Sequence, residues 1–249
     1  MTQNLEEGNT KPLFAHIKRS RGQSNNINRL KDTDNDQIAA RLAEHFSQVF
    51  NSHTYNDPDF TCRPNNEMLQ IRVSSNGVKK YLMSLDPRKS TGPDEISPAV
   101  LKNFSERVPS FVEPITCMFQ KSIEKAELPA IWKKAVVSPI YKGGPRDEVN
   151  NYRPVSITSI LCKYLEHIIC SNIWNHNEHN ELLSHGQHGF RKGYSTTTQL
   201  LHVVHHATEA LDKKDDYQII SFGFAEAFDC VPHNLLKLKL RGYKFNSLR

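Results

Sequence analysis

Apolar residues recur along this chain at two spacings, and the two spacings predict different elements. Ile38, Leu42, Phe46, Val49 and Phe50 stand at helical intervals, which predicts a helix over about 36–50 with Asp34 or Asp36 as its cap. A short helix is expected to end near Leu85, and Ser97-Pro98 starts another, with proline at the first helical position. Phe111, Ile115, Met118, Phe119 and Ile123 mark a further amphipathic helix. Ile160, Leu161, Tyr164, Leu165, Ile168 and Ile169 form a strong helical stripe, and Leu200, Leu201, Val204, Ala207 and Leu211 form another. Two stretches instead favour strands. "KKAVVSPIYKGG" reads as a strand ending in a Gly-Gly turn, and "YQIISFGF" at 217–224 as a strand of β-branched and aromatic residues. The stretch "SFGFAEAFDCVPH" then runs from strand through turn into a helix.

Between these elements the pattern breaks down. Residues 86–94 form a basic loop in which Pro93 blocks a helix. Residues 51–62 have no periodicity and read as a linker. Residues 1–35 carry Lys18, Arg19, Arg21, Arg29 and Lys31 with few apolar anchors, so a solvated, partly disordered arm is expected there. The same basic residues would suit contacts to a nucleic-acid backbone.

Composition narrows the function classes. Lys and Arg number 32 against 27 Asp and Glu, a formal charge of +5 that is compatible with nucleic-acid binding and with an ordinary basic protein alike. The five cysteines are odd in number and contain no CxxC, so reduced thiols in an intracellular protein, cytoplasmic or nuclear, are expected. The first residues have no apolar h-region, and no apolar run approaches 18 residues, so neither secretion nor a membrane span is expected.

Candidate chemistry sits on the loops. "RKSTGPDEIS" occupies 88–97, Lys142 stands in "SPIYKGG", Arg153 in "NNYRPVSIT", and "GQHGFRKGYSTTTQLL" spans 186–201. Each alone is weak. Histidines are numerous, and His202 and His206 lie i, i+4 on a helix, a spacing suited to a ligand pair. No cysteines accompany them at finger spacing and HExxH is absent, so no metal site is expected.

In their order, "GPDEISPAVLK", "WKKAVVSPIYKGG", "NYRPVSITSILCKYLEHII", "QHGFRKGYSTTTQLL" and "FGFAEAFDCVPHNLL" resemble the blocks of the reverse-transcriptase domain of non-LTR retrotransposons, the LINE class and its jockey-like members. The resemblance implies an α/β (α+β) fold: the fingers and the beginning of the palm of a right-hand polymerase, ending before the catalytic hairpin and thumb. It implies a linker of arm and helix over 1–62 and a partial polymerase domain over 63–249. It implies an RNA-directed DNA polymerase, a nucleotidyltransferase that uses Mg2+ and handles an RNA template, a DNA primer and dNTPs. Lys142 and Arg153 would face the triphosphate, where a planar, permanently charged guanidinium suits phosphate oxygens. Phe228 would form the floor under the sugar. Gln187, Gly189, Phe190 and Arg191 fall in the template-contacting block, where a glycine lets a strand approach closely.

The resemblance fails at two places. The family pattern is an apolar residue, Asp, Phe, two variable residues, then Ala-Phe-Asp. Here Gly223 stands where the first metal-binding carboxylate belongs. On a strand, Phe222 and Phe224 point away from its face, and Ala225 has no oxygen. The Tyr-x-Asp-Asp hairpin of the family is not in this sequence, and Asp215-Asp216 lies in a polar turn. The expectation is a chain without an intact catalytic residue and without productively bound metal, a fragment of a decayed or truncated element. The alternative is a non-catalytic nucleic-acid-binding module using Lys142, Arg153, Arg191 and Lys192.

Overall fold

Pro139 and Pro154 face each other across a two-stranded antiparallel ribbon. In the computed structural model, which describes residues 35–48, 67–224 and 226–245, this ribbon belongs to one of two compact units. The unit comprises helix α1 (Asn35–Gln48) and the hairpin of β1 (Val136–Tyr141) and β2 (Tyr152–Ile157). The register runs from Val136 opposite Ile157 to Tyr141 opposite Tyr152. Neither proline has an N–H to offer a ladder, and both strands are edges among the described residues, where proline is tolerated. β1 matches the sequence expectation. β2 does not announce itself, because Pro154 interrupts its alternation.

Tyr152 closes the small core of this unit. It is 2% exposed, packs with Ile38 and Leu42 of α1, and meets the Tyr141 ring edge-on at 5.7 Å. Its hydroxyl donates to the Arg146 carbonyl at 2.8 Å. The turn between the strands is set by Gly144, whose φ of +93° is one that residues with a side chain rarely adopt. Past β1, the Lys142 N–H donates to the Asn151 carbonyl at 2.8 Å and keeps the hairpin paired.

The second unit, described over 67–135 and 158–245, is helical. Its helices are α2 (Ser75–Ser84), α3 (Pro98–Arg107), α4 (Val112–Lys125), α5 (Ile160–His179), α6 (Thr196–Asp212) and α7 (His233–Gly242). Local chemistry starts three of them. The Ser74 hydroxyl accepts from the Gly77 N–H, Ser97 accepts from Ala99 ahead of Pro98, and Ser159 accepts from Cys162. The apolar stripes of α2 to α5 converge on one core around Phe119, which is 0% exposed and touches the rings of Trp132 at 5.7 Å and Tyr164 at 5.9 Å. Tyr81 stacks on Tyr164 with centroids 3.8 Å apart. Cys162 is buried beside Glu166, and burial first, then that carboxylate, pushes its thiol up to about 12.

Gly92 fits the loop at 86–94 against this core. A Cβ there would lie 2.6 Å from Ser159 Cα, so only glycine lets the loop reach the start of α5. At the other end, buried Phe245 packs with Met68 and Ile71, and the His176 Nε2–H donates to the Tyr243 carbonyl at 2.9 Å.

Two expectations meet a different outcome. Residues 217–224 form no strand: they make no ladder with any described residue, and Ile219, Ile220, Phe222 and Phe224 are 65–87% exposed. Residue type favours β here, but a strand exists only through a neighbour that takes its hydrogen bonds. α6 forms with its expected stripe, yet buries none of its residues. The division expected at 62/63, the arm over 1–35 up to residue 34, and Val49 and Phe50 lie outside the described residues. Cys117, Cys162, Cys170 and Cys230 form no disulfide with one another. Among the described residues no helix is long and apolar enough to cross a membrane.

Candidate functional site

In the hairpin unit, alternation sorts the side chains onto two faces. Tyr141 and Tyr152 turn toward α1. The opposite face carries Val136, Ser138 and Ile140 from β1 and Arg153, Val155 and Ile157 from β2, with Arg153 directly across from Ile140. Arg153 and Lys142 are both exposed. A rigid, paired backbone therefore presents two cations at one end of the ribbon, beside the half-exposed Ile140 and Val155. This can bind a phosphate-bearing ligand, with the guanidinium supplying a planar fork of donors.

In the helical unit, one side chain ties the loop at 184–195 to α5. The Arg191 guanidinium donates to both carboxylate oxygens of Glu178, from Nε at 2.8 Å and from Nη2 at 2.9 Å, and its Nη1 donates to the Ser184 carbonyl at 3.0 Å. It also lies over the Tyr194 ring, 4.6 Å from the centroid. The hydrogen bond from Arg191 holds the Glu178 carboxyl below the usual carboxylate range. Arg191 thus faces inward and anchors the loop to the end of α5. Sequence spacing gave no sign of this, because Glu178 stands 13 residues away.

Its neighbour faces outward. Phe190 has a φ of +57°, a left-handed conformation that costs a bulky residue strain, and its ring is 82% exposed. There it meets Phe228 edge to face at 5.7 Å, and Phe228 is itself 77% exposed. Two residues singled out separately in the sequence therefore form one edge-to-face aromatic pair open to solvent, and exposed ring faces are surfaces on which bases can stack. Gly189 has nothing within 4 Å of a Cβ built on it, so no protein contact demands glycine there and the backbone is open to a ligand. The Gln187 amide points back to the Gly189 carbonyl at 3.5 Å.

Position 223 is also open. A Cβ on Gly223 meets nothing within 4 Å, and its backbone is outside the left-handed region, so the fold does not require glycine. The turn that follows is closed by the Asp229 and Cys230 N–H groups donating to the Glu226 carbonyl at 2.9 and 3.2 Å. Among the described residues no group of three His, Cys, Asp or Glu side chains is placed to hold a metal ion. The donor set expected for magnesium, carboxylate oxygens gathered at position 223, does not fit the residue present there.

Residues 140–248 match the family described as Reverse transcriptase (RNA-dependent DNA polymerase). Over that segment the chain is similar to a reverse-transcriptase domain, and over most of its length it resembles RNA-directed DNA polymerases of transposons. It is 30% identical over 210 residues to the probable RNA-directed DNA polymerase from transposon X-element of Drosophila melanogaster, covering 82% of this chain and 23% of the relative. It is 29% identical over 172 residues to the probable RNA-directed DNA polymerase from transposon BS of the same fly, covering 69% and 18%. To the RNA-directed DNA polymerase from mobile element jockey of that fly it is 28% identical over 212 residues, covering 80% and 22%. The chain spans about a fifth of the length of these curated relatives.

Proposed function

We propose that this chain is the fingers and first palm portion of an RNA-directed DNA polymerase, and that it performs no phosphoryl transfer itself. On the hairpin unit, Lys142 and Arg153 are the groups for a dNTP triphosphate. In the helical unit, Phe228 is the floor under the sugar and Gln187, Gly189 and Phe190 meet the template, while Arg191 keeps their loop in place. The partners are an RNA template and a DNA primer. The observation that carries this reading is the match of residues 140–248 to the reverse-transcriptase family, with Gly223 standing inside the matched segment. The family's chemistry places divalent ions, supplied as Mg2+, at carboxylates, and position 223 offers none.

The test is primer extension on a primed RNA template with magnesium and dNTPs. The chain is extended through the downstream part of a related polymerase, with Gly223 or with Gly223→Asp. Product from the aspartate version alone is the expected result. Product from the glycine version overturns the claim that residue 223 silences the site.

The second reading, a nucleic-acid-binding module without chemistry, is favoured by the outward Phe190–Phe228 pair and the cationic ribbon face. Binding to single-stranded RNA that weakens with salt, with a log–log slope shallower by about 1 in Arg153→Glu, is expected of it.

A further inference from the structure

The helix α6 carries a constellation that polymerase chemistry does not use. His202 and His206 are one turn apart, and their Nε2 atoms converge to 3.3 Å. Their rings stand nearly perpendicular, at 84°, with centroids 4.5 Å apart. We propose that His202 and His206 form a two-imidazole site for a divalent transition-metal ion, of which zinc is the test case.

The distance decides the chemistry. A tetrahedral ion at 2.0–2.1 Å from each of two imidazole nitrogens holds those nitrogens about 3.3–3.4 Å apart. The two Nε2 atoms already stand at that separation, in a ring-to-ring hydrogen bond whose proton is released when an ion takes its place. Both side chains are exposed, so an ion reaches them from water.

The surroundings hold the pair in place. The helix is fixed one turn upstream by a capping box, in which the Ser195 hydroxyl accepts from the Thr198 N–H and Thr198 Oγ1 accepts from the Ser195 N–H. On the far side of the His206 ring, Glu209 Oε2 lies 3.7 Å from Nδ1, and Glu209 is steadied by the Lys213 ammonium at 2.8 Å. The His188 ring is 5.8 Å from that of His202, but its Nδ1 is engaged with Thr198 Oγ1 at 2.8 Å. No third ligand is gathered among the described residues, so water completes the coordination. Imidazole donors select zinc, nickel or copper and not magnesium, which keeps this site chemically distinct from polymerase metal binding.

The test is titration of the chain with zinc chloride, in parallel with His202→Ala, His206→Ala and a His205→Ala control. Helicity measured by circular dichroism confirms that these exposed substitutions leave the fold intact. Hydrogen exchange of the 202–210 amides with and without zinc reports where the ion sits. The expected result is one equivalent whose affinity falls at least about tenfold in either ligand variant, persists in His205→Ala, and slows exchange in 202–210. Parent-like affinity in either ligand variant, an equal loss in His205→Ala, or unchanged exchange in 202–210 overturns the proposal.

Discussion

Phe119 and Phe224 belong to the same helical unit and live in opposite surroundings. Phe119 on α4 is 0% exposed among the rings of Trp132 and Tyr164, whereas Phe224, just after Gly223, is 87% exposed. The contrast extends to their regions. Residues 75–132 and 160–169 contribute a continuous core from four helices and Trp132, while α6 and α7 bury none of their residues. The first region holds itself together by apolar burial. The second holds its shape mainly by local devices, a capping box on α6, the Arg191–Glu178 pair and the turn at 226–230, with apolar packing confined to the end of α7 around Phe245. The motif residues of this unit, Gln187, Gly189, Phe190 and Phe228, all lie in the second region, on surfaces left open for something other than this chain's own core.

The comparison breaks first at Phe119. Phe119→Ala leaves a cavity among α2, α4 and α5 and is expected to cost about 3–5 kcal/mol in urea unfolding. Gly92→Ala comes next. Its methyl meets the Ser159 backbone, which cannot swing aside as a side chain can, and about 1–3 kcal/mol is expected to be lost by the same measurement. A smaller effect comes from pH. The Cys162 thiol rises from an ordinary 9.0 to about 12, so the unfolded chain loses this proton first on alkalinisation. The stability it contributes is present below pH 9.0 and is lost as pH climbs toward 12. Cys162→Ala is expected to flatten that alkaline fall in a pH series of unfolding midpoints. The smallest effects belong to the open region. Leu200→Ala and Gly223→Asp are expected to change stability by no more than about 0.5 kcal/mol, because Leu200 is 63% exposed and a side chain at 223 meets nothing.

Much of the packed region was legible in the sequence. The stripes at 111–123 and 160–169 became α4 and α5, and Ser97-Pro98 starts α3 as its chemistry dictates. Periodicity works there because those helices bury one face in a core. It fails for β2, where Pro154 hides a strand that pairs through its neighbours. It fails in the opposite sense at 217–224, where β-prone residues find no ladder among the described residues. The motif order singled out Lys142 and Arg153 on the hairpin unit and Phe190 and Phe228 in the helical unit as candidates. The inward turn of Arg191 and the contact between Phe190 and Phe228 are tertiary facts, set by Glu178 and by a loop conformation that spacing does not encode.

Hydrogen exchange, resolved by peptide on the free chain, tests the contrast between the two regions most directly. Slow exchange is expected across 115–123 and 164–173, where helical hydrogen bonds are shielded by the core, and exchange at 217–224 as fast as in an unstructured peptide. Protection at 217–224 equal to that of α4 would contradict the contrast, because that segment would then be paired and packed within this chain.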